Sequence, residues 1–543
     1  MRIALAQLNY VIGDFERNVF KIKETIHRAK TEKADLVLFS ELCISGYPPR
    51  DFLEFRDFIN RCKAAAEEIA ATCTGITAII GCPTINPQPE GKNLFNSAFV
   101  CSDGKIADVV HKALLPNYDI FDEYRYFEPG KNFHCINING KKIALTICED
   151  LWNVEDDPMY VFSPMDELIK EKPEMMINIA ASPFDYGHAE KRQSILARNA
   201  KQYRLPLIYL NHVGAQTEII FDGGSMVMND KGEVTKRMKF FEEDFMIIDP
   251  EEQVMQSVPS KTISKVDRIH AALVLGIKDY FHKQNFTKAI LGLSGGIDSA
   301  LVACLAAEAL GKENVLPVLM PSQFSSFESV TDSLALCKNL ELPHELIPIE
   351  HVYEEYLHTL RRQFKGMPQG LAEENIQARI RGMLLMAMSN KFGSILLNTS
   401  NKSEIAVGYG TLYGDMCGGL SVIGDVYKSE VYELARNINR NKEIIPEAII
   451  SKAPSAELRP GQKDSDSLPE YDVLDPILFQ YIEQRKGPQE LIEMGNDSAL
   501  VARVLKLVNT NEYKRYQTPP VLRVSPKSFG QGRRLPIVGK YLS

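Results

Sequence analysis

The chain has 543 residues, 45% of them hydrophobic and 24% charged, which is too long for one ordinary core and has the composition of a soluble globular protein of two domains. Its formal net charge of −9 argues against a general nucleic-acid binder, because phosphate backbones select basic faces, and no run of about 18 apolar residues is present to cross a membrane. The ten cysteines form neither a Cys-x-x-Cys pair nor a Cys/His cluster, so a zinc site and a disulfide framework are both disfavoured. The opening Met1-Arg-Ile-Ala-Leu-Ala-Gln-Leu-Asn9 lacks the organisation of a signal peptide, which predicts a cytoplasmic location.

Apolar patterning predicts a strand over 2–8, an amphipathic helix over 18–30 and a second strand over 35–41. Strands follow at 78–81, 97–101, 142–148, 175–181 and 207–211, with a helix over 189–204. Strands this apolar need cover on both faces or in a second sheet. Three polar residues stand at the ends of such runs, where side chains can face a shared crevice: Glu41 after Leu-Val-Leu-Phe-Ser, Lys112 after Ala-Asp-Val-Val-His and Cys148 after Ile-Ala-Leu-Thr-Ile. Taken singly, a cysteine is often core and a Glu or Lys is usually half of a weak surface pair. Together they can form a nucleophilic centre, in which the carboxylate takes the thiol proton and the ammonium stabilises the thiolate and the later oxyanion.

The words around these residues, Ser40-Glu-Leu-Cys-Ile-Ser-Gly-Tyr-Pro-Pro-Arg-Asp51, His111-Lys-Ala-Leu-Leu-Pro-Asn-Tyr118 and Ile147-Cys-Glu-Asp-Leu-Trp152, resemble the nitrilase superfamily from about residue 1 to about 249. That resemblance implies an αββα sandwich with a Glu41-Lys112-Cys148 triad, and release of ammonia from an amide through a Cys148 thioester. It also implies a second carboxylate near the triad: Glu123, in Phe121-Asp-Glu-Tyr-Arg-Tyr-Phe-Glu-Pro-Gly130, with Glu128 as its rival. Tyr47, Tyr118, Glu149 and Ser182 match positions that bind glutamine in the glutaminase members. His188 stands where those members usually carry Lys or Arg, so no fixed positive charge is carried over to it.

Regular patterning fades over 249–265, which is polar and twice punctuated by proline, and places the domain boundary near residue 258, giving domains 1–258 and 259–543. A helix over 264–282 then leads into the apolar run 288–293, which breaks into Ser294-Gly-Gly-Ile-Asp-Ser299. Gly295 and Gly296 let backbone approach an anion, Ser294 and Ser299 add hydroxyls, and a following helix turns its positive end toward it. A carboxylate beside phosphate is repulsive unless a divalent cation lies between them, so Asp298 implies Mg²⁺. Strands at 315–319, 344–349 and 394–398, alternating with helices at 329–339 and 374–391, predict a Rossmann-like parallel α/β sheet with nucleotide at its strand ends. Near that crevice the sequence offers Gln377 and Arg381 on one helix face with Arg379 offset, Thr399 to meet base or ribose, Glu404 to share a metal with Asp298, and then Asp415 and Lys428. The alternative reading of the arginines is an ion-paired helix surface.

The phosphate loop resembles that of the N-type ATP pyrophosphatases, which are adenine nucleotide hydrolase-like in fold and make adenylates. With Asn398-Thr-Ser-Asn-Lys-Ser-Glu404, Tyr413-Gly-Asp-Met-Cys-Gly-Gly-Leu420, Pro454-Ser-Ala-Glu-Leu-Arg-Pro460 and the tail Ser525-Pro-Lys-Ser-Phe-Gly-Gln-Gly-Arg533, the second half resembles the NAD⁺ synthetase family, in its glutamine-dependent, fused form. The resemblance implies that ATP activates deamido-NAD⁺ as an adenylate and that ammonia from the first domain completes the amide. Ser294, Gly296, Asp298, Ser299 and Lys428 would hold pyrophosphate, Asp298 and Glu404 the metal, and Asp415 the nicotinate end of deamido-NAD⁺; Lys527 in the tail joins the nucleotide set. The segment 459–469 looks like a mobile lid, with Ser465 where the family often has an acid. The family also implies a homo-oligomer. Rivals are a ligase that amidates another carboxylate, an amidase fused to a non-catalytic nucleotide-binding domain, and an ammonia-only enzyme whose first half is a scaffold.

Overall fold

A computed structural model describes residues 1–250 and 263–542, which divide into two compact units, Met1–Thr262 and Ile263–Ser543. The expected boundary near residue 258 lies outside the described residues.

The first unit is the expected αββα sandwich. One six-stranded sheet runs Asp244–Ile248, Ile3–Gln7, Leu36–Leu38, Thr77–Ile85, Leu94–Ser102 and Lys105–His111; the other runs Val234–Arg237, Met226–Met228, Leu207–Asn211, Met175–Ala180, Lys141–Ile147 and Ile136–Ile138. Each has parallel pairings at its centre and antiparallel ones toward its edges. Successive side chains on a strand point to opposite faces, and Ile3–Gln7 uses both. Ile3 and Leu5 join a core shared with Leu145 and Ile177 of the second sheet, while Ala4 and Ala6 pack with Ile22 and Ile26 of the helix Phe15–Thr31. That helix is started by Asp14, whose side chain accepts from Arg17 N at 3.1 Å, and it buries Phe15, Val19, Ile22, Ile26 and Ala29 on one stripe. The strands beyond residue 212 were not anticipated: Val234–Arg237 and Asp244–Ile248 are partly exposed, which blurs their signal, whereas Val213–Gln216, Ile219–Asp222 and Met226–Met228 are buried but only three or four residues long.

The second unit is built on five parallel strands in the order Glu345–Leu346, Val315–Leu319, Ala289–Gly292, Ile395–Asn398 and Leu420–Ser421. Chain order reverses about Ala289–Gly292, whose neighbours are the next strand in sequence on one side and a later one on the other. A crevice therefore opens at its carboxyl end. The helix after the glycine loop is Ile297–Leu310, so Asp298 and Ser299 lie in its first turn. The predicted strand over 344–349 shrinks to two exposed residues, and the helix predicted from 374 begins at Leu371, where Glu373 reaches back to Gly370 N at 2.7 Å. A separate apolar cluster holds the helices Tyr471–Ile482 and Ser498–Thr510 against Lys402–Val407.

Candidate active sites

The strand Leu36–Leu38 leads to Glu41, Lys105–His111 to Lys112 and Lys141–Ile147 to Cys148, and all three side chains are buried. Lys112 Nζ donates to Glu41 Oε1 at 2.7 Å and to both oxygens of Glu123 at 2.8 and 2.9 Å. Glu41 also accepts from Asn96 Nδ2 at 2.7 Å and Ala181 N at 2.9 Å, and Tyr47 Oη donates to Glu123 at 2.8 Å. Glu128 instead accepts from Lys92 N and Lys131 Nζ, so Glu123 is the carboxylate that meets Lys112. Burial lowers the affinity of Lys112 for its proton, and the charges of Glu123 and Glu41 more than reverse this, raising its pKa well above the usual lysine range. Burial drives the Glu123 pKa up to about 7, with Lys112 opposing and Glu41 assisting.

Cys148 sits in a left-handed conformation, φ 44°, at the exit of its strand, a strained position that lifts a nucleophile out of regular pairing. Asp150 braces the turn by accepting from Ile147 N, Ala113 N and Leu114 N, each at 2.9 Å, which also fixes the backbone beyond Lys112. Burial and then Glu41 raise the Cys148 pKa, and Lys112 pulls against them. The resting group is thus a thiol that feels the charges of both Glu41 and Lys112. Close by, Glu149 Oε1 accepts from Tyr118 Oη at 3.0 Å and Tyr160 Oη at 3.1 Å. Ser182 Oγ and His188 Nε2 lie 3.0 Å apart, and the imidazole stacks on Trp152 with centroids 5.0 Å apart. Sequence reasoning missed Asn96, Asp150 and Tyr160. An amide inside the apolar run Leu94–Ser102 was the available signal for Asn96.

In the second unit one cavity is walled by the loop 294–299 together with Arg381, Thr399, Glu404, Asp415 and Lys428. The loop is tied to itself: Gly296 N donates to Ser294 Oγ at 3.2 Å and Ser299 Oγ to Gly296 O at 3.0 Å. Gly295 has φ +81°, and a Cβ there would come within 2.5 Å of Ser329 O, so only glycine lets the loop close against the neighbouring helix Phe327–Leu340. Lys428 Nζ donates to Asp298 and stands 3.9 Å from Glu404 Oε1. Asn401 Nδ2 also donates to Asp298, at 2.9 Å. Burial, then the charge of Asp298, raises the Glu404 pKa well above the carboxylate range, with Lys428 opposing. Two carboxylates facing one ammonium suit a further cation. Among the described residues, no three His, Cys, Asp or Glu gather to hold a metal, so phosphate oxygens and water would complete its shell.

The other predicted nucleotide residues are placed less centrally. Gln377 is buried and donates to Leu458 O at 2.9 Å, Arg379 is exposed and donates to Leu412 O at 3.2 Å, and Lys527 offers its carbonyl to Lys402. All three lie outside the cavity wall. Missed residues that do line it are Lys452 and Glu457, paired at 2.7 Å, and Asp464. In the expected lid, Asp464 is buried and accepts from Tyr409 Oη at 3.2 Å and Tyr471 Oη at 3.0 Å, while Ser465 is exposed.

Residues 2–259 match the carbon-nitrogen hydrolase family and residues 269–518 the NAD synthase family. A glutamine-dependent NAD(+) synthetase of Synechocystis sp. is 46% identical over 546 residues, spanning 98% of this chain and 98% of the relative. One of Thermotoga maritima is 41% identical over 580 residues, spanning 100% and 99%. Among solved structures, the glutamine-dependent NAD+ synthetase from Acinetobacter baumannii in complex with ADP aligns with a TM-score of 0.78 at 37% identity, over 99% of this chain and 98% of that one. With both halves matched and full-length relatives well above 30% identity, the chain belongs to the glutamine-dependent NAD⁺ synthetases.

Proposed function

We propose that the chain amidates the nicotinate carboxylate of deamido-NAD⁺ at the expense of ATP, with ammonia cut from glutamine in its first unit. Glu41 takes the Cys148 proton as the sulfur attacks the side-chain amide carbon of glutamine, and Lys112 faces the charge that develops on the amide oxygen. The proton returns to the departing nitrogen, ammonia leaves, and water activated by the same carboxylate releases glutamate from the thioester. Glu123 and Tyr47 keep Lys112 in place. In the second unit, the carboxylate of deamido-NAD⁺ attacks the α-phosphorus of ATP. The amides and hydroxyls of 294–299, with Lys428, take up charge on the departing pyrophosphate. Ammonia then displaces AMP from the adenylate. Asp298 and Glu404 would hold Mg²⁺, which, when bound, neutralises phosphate charge. Family likeness adds a homo-oligomer and a cytoplasmic setting to this reading.

The observation that carries it is the pairing, in one chain, of a buried Lys112 held between Glu41 and Glu123 beside Cys148 with a glycine loop facing Lys428. The test supplies ATP, Mg²⁺, deamido-NAD⁺ and amide-¹⁵N glutamine in excess unlabelled ammonium, and reads the label in NAD⁺ by mass spectrometry. Labelled NAD⁺ is expected. Unlabelled NAD⁺ would mean that the adenylate draws ammonia from solution rather than from glutamine cut at Cys148, and glutamate release without NAD⁺ would reject the acceptor in favour of another carboxylate.

A further inference from the structure

Beyond the triad, the first unit carries a device that no motif announces. The chain from Trp152 to Ser163 forms a loop folded around Asn153, whose side chain donates to Tyr160 O at 2.9 Å and Phe162 O at 2.8 Å and accepts from Tyr160 N at 3.0 Å. Three hydrogen bonds from one amide give the loop a defined shape. That shape turns Met159 and Val161 outward to solvent and Tyr160 inward, where its hydroxyl meets Glu149 Oε1, one residue from the nucleophile. Tyr118 donates to the same oxygen. Burial raises the Glu149 pKa, and after Lys112 the hydrogen bonds from Tyr118 and Tyr160 oppose that rise. Two phenols on one oxygen fix the orientation of the carboxyl and favour its ionised form against burial, while neither phenol donates to Oε2. An ionised carboxylate with a free oxygen, next to a nucleophile that takes an amide, is a receptor for a cationic group on the amide substrate.

We propose that Tyr160 determines substrate specificity in the glutaminase reaction. By donating to Glu149 Oε1 it orients the carboxyl, so that the site recognises the α-ammonium of L-glutamine and discriminates against amides that lack one. This rests on the reading of Cys148 as the glutaminase nucleophile and of Glu149 as a glutamine contact. The selection is energetic: without the α-ammonium, the buried Glu149 Oε2 would be left without a hydrogen-bond partner.

The full-length chain is assayed for ammonia release from L-glutamine and from glutaramate, the same side-chain amide without the α-amino group. Where glutaramate turns over too slowly to measure, its Ki against glutamine replaces its kcat/KM. Tyr160→Phe removes only the hydroxyl and keeps the backbone bonds to Asn153. Its expected effect is a fall of about tenfold in the preference for glutamine over glutaramate, read in KM rather than kcat, with the constants for glutaramate within twofold of the parent. Equal losses on both substrates would make Tyr160 a merely structural loop residue and overturn the proposal, as would an unchanged preference. Glu149→Gln separates the two levels. If it also leaves the preference intact, the reading of Glu149 fails; if it abolishes the preference while Tyr160→Phe does not, only the role of Tyr160 fails.

Discussion

Glu123 shows how burial sets the working range of a single side chain. Its carboxyl, raised to about 7 chiefly by desolvation, is neutral in acid and ionised above neutrality, and only the ionised form fully balances Lys112. Because the shift is upward, the competent state is gained as pH rises. Glutamine kcat/KM is therefore expected to climb through pH 7, and Glu123→Gln should remove that limb and lower the plateau by about 10²-fold. A pH profile of glutamate release in both proteins checks this; an identical acidic limb in the variant would assign the titration elsewhere. At this scale the sequence was informative where chemistry interrupts an apolar run, as at Glu41, Lys112 and Cys148. For Asn96 it offered only an amide inside an apolar run, with nothing to connect that amide to Glu41 across 55 positions of chain.

At the level of elements, two contacts carry predictions. The turn containing Gly295 requires a positive φ and abuts Ser329 backbone, so Gly295→Ala must shift the phosphate loop or the helix behind it. Left-handed strain of this kind costs about 1–3 kcal/mol, and ammonium-driven synthesis should show a KM for ATP raised at least tenfold, while glutamine hydrolysis serves as the control. In the first unit Arg192, on the helix His188–Tyr203, pairs with Asp222 through two bonds of 3.0 and 2.7 Å, with both side chains almost completely buried. Removing one partner of such a pair strands the other charge. Asp222→Asn should destabilise this unit by about 3–5 kcal/mol, measured in urea by the fluorescence of Trp152, the only tryptophan in the chain. Helix 371–392 shows where periodicity stops short. The four-residue spacing put Gln377 and Arg381 on one face, yet only Arg381 reaches the cavity while Gln377 bonds to Leu458 O. Spacing defines a face, and the neighbouring segment decides what that face meets.

For the whole molecule the expectation is a division of labour. Cys148→Ala should abolish glutamine-driven NAD⁺ synthesis and leave ammonium-driven synthesis within about twofold, whereas Lys428→Ala should lower both by at least about 10²-fold. Rates with each nitrogen source, measured on the same preparations, decide between this and a single mixed site; equal losses in Cys148→Ala would sink the division. Local order in the chain was enough to read two α/β units, the strand ends that carry Glu41, Lys112 and Cys148, and a glycine loop between strand and helix, because hydrophobic period and glycine-rich turns are properties of neighbouring residues. Only the tertiary structure drew Asp464 and Lys452 into the nucleotide cavity, left Arg379 outside it, brought Tyr160 onto Glu149 and joined Glu123, already preferred to Glu128, to Lys112. Those choices depend on side chains that meet across long stretches of chain in low-dielectric surroundings, where burial and charge pairing, unlike periodicity, leave no pattern along the sequence.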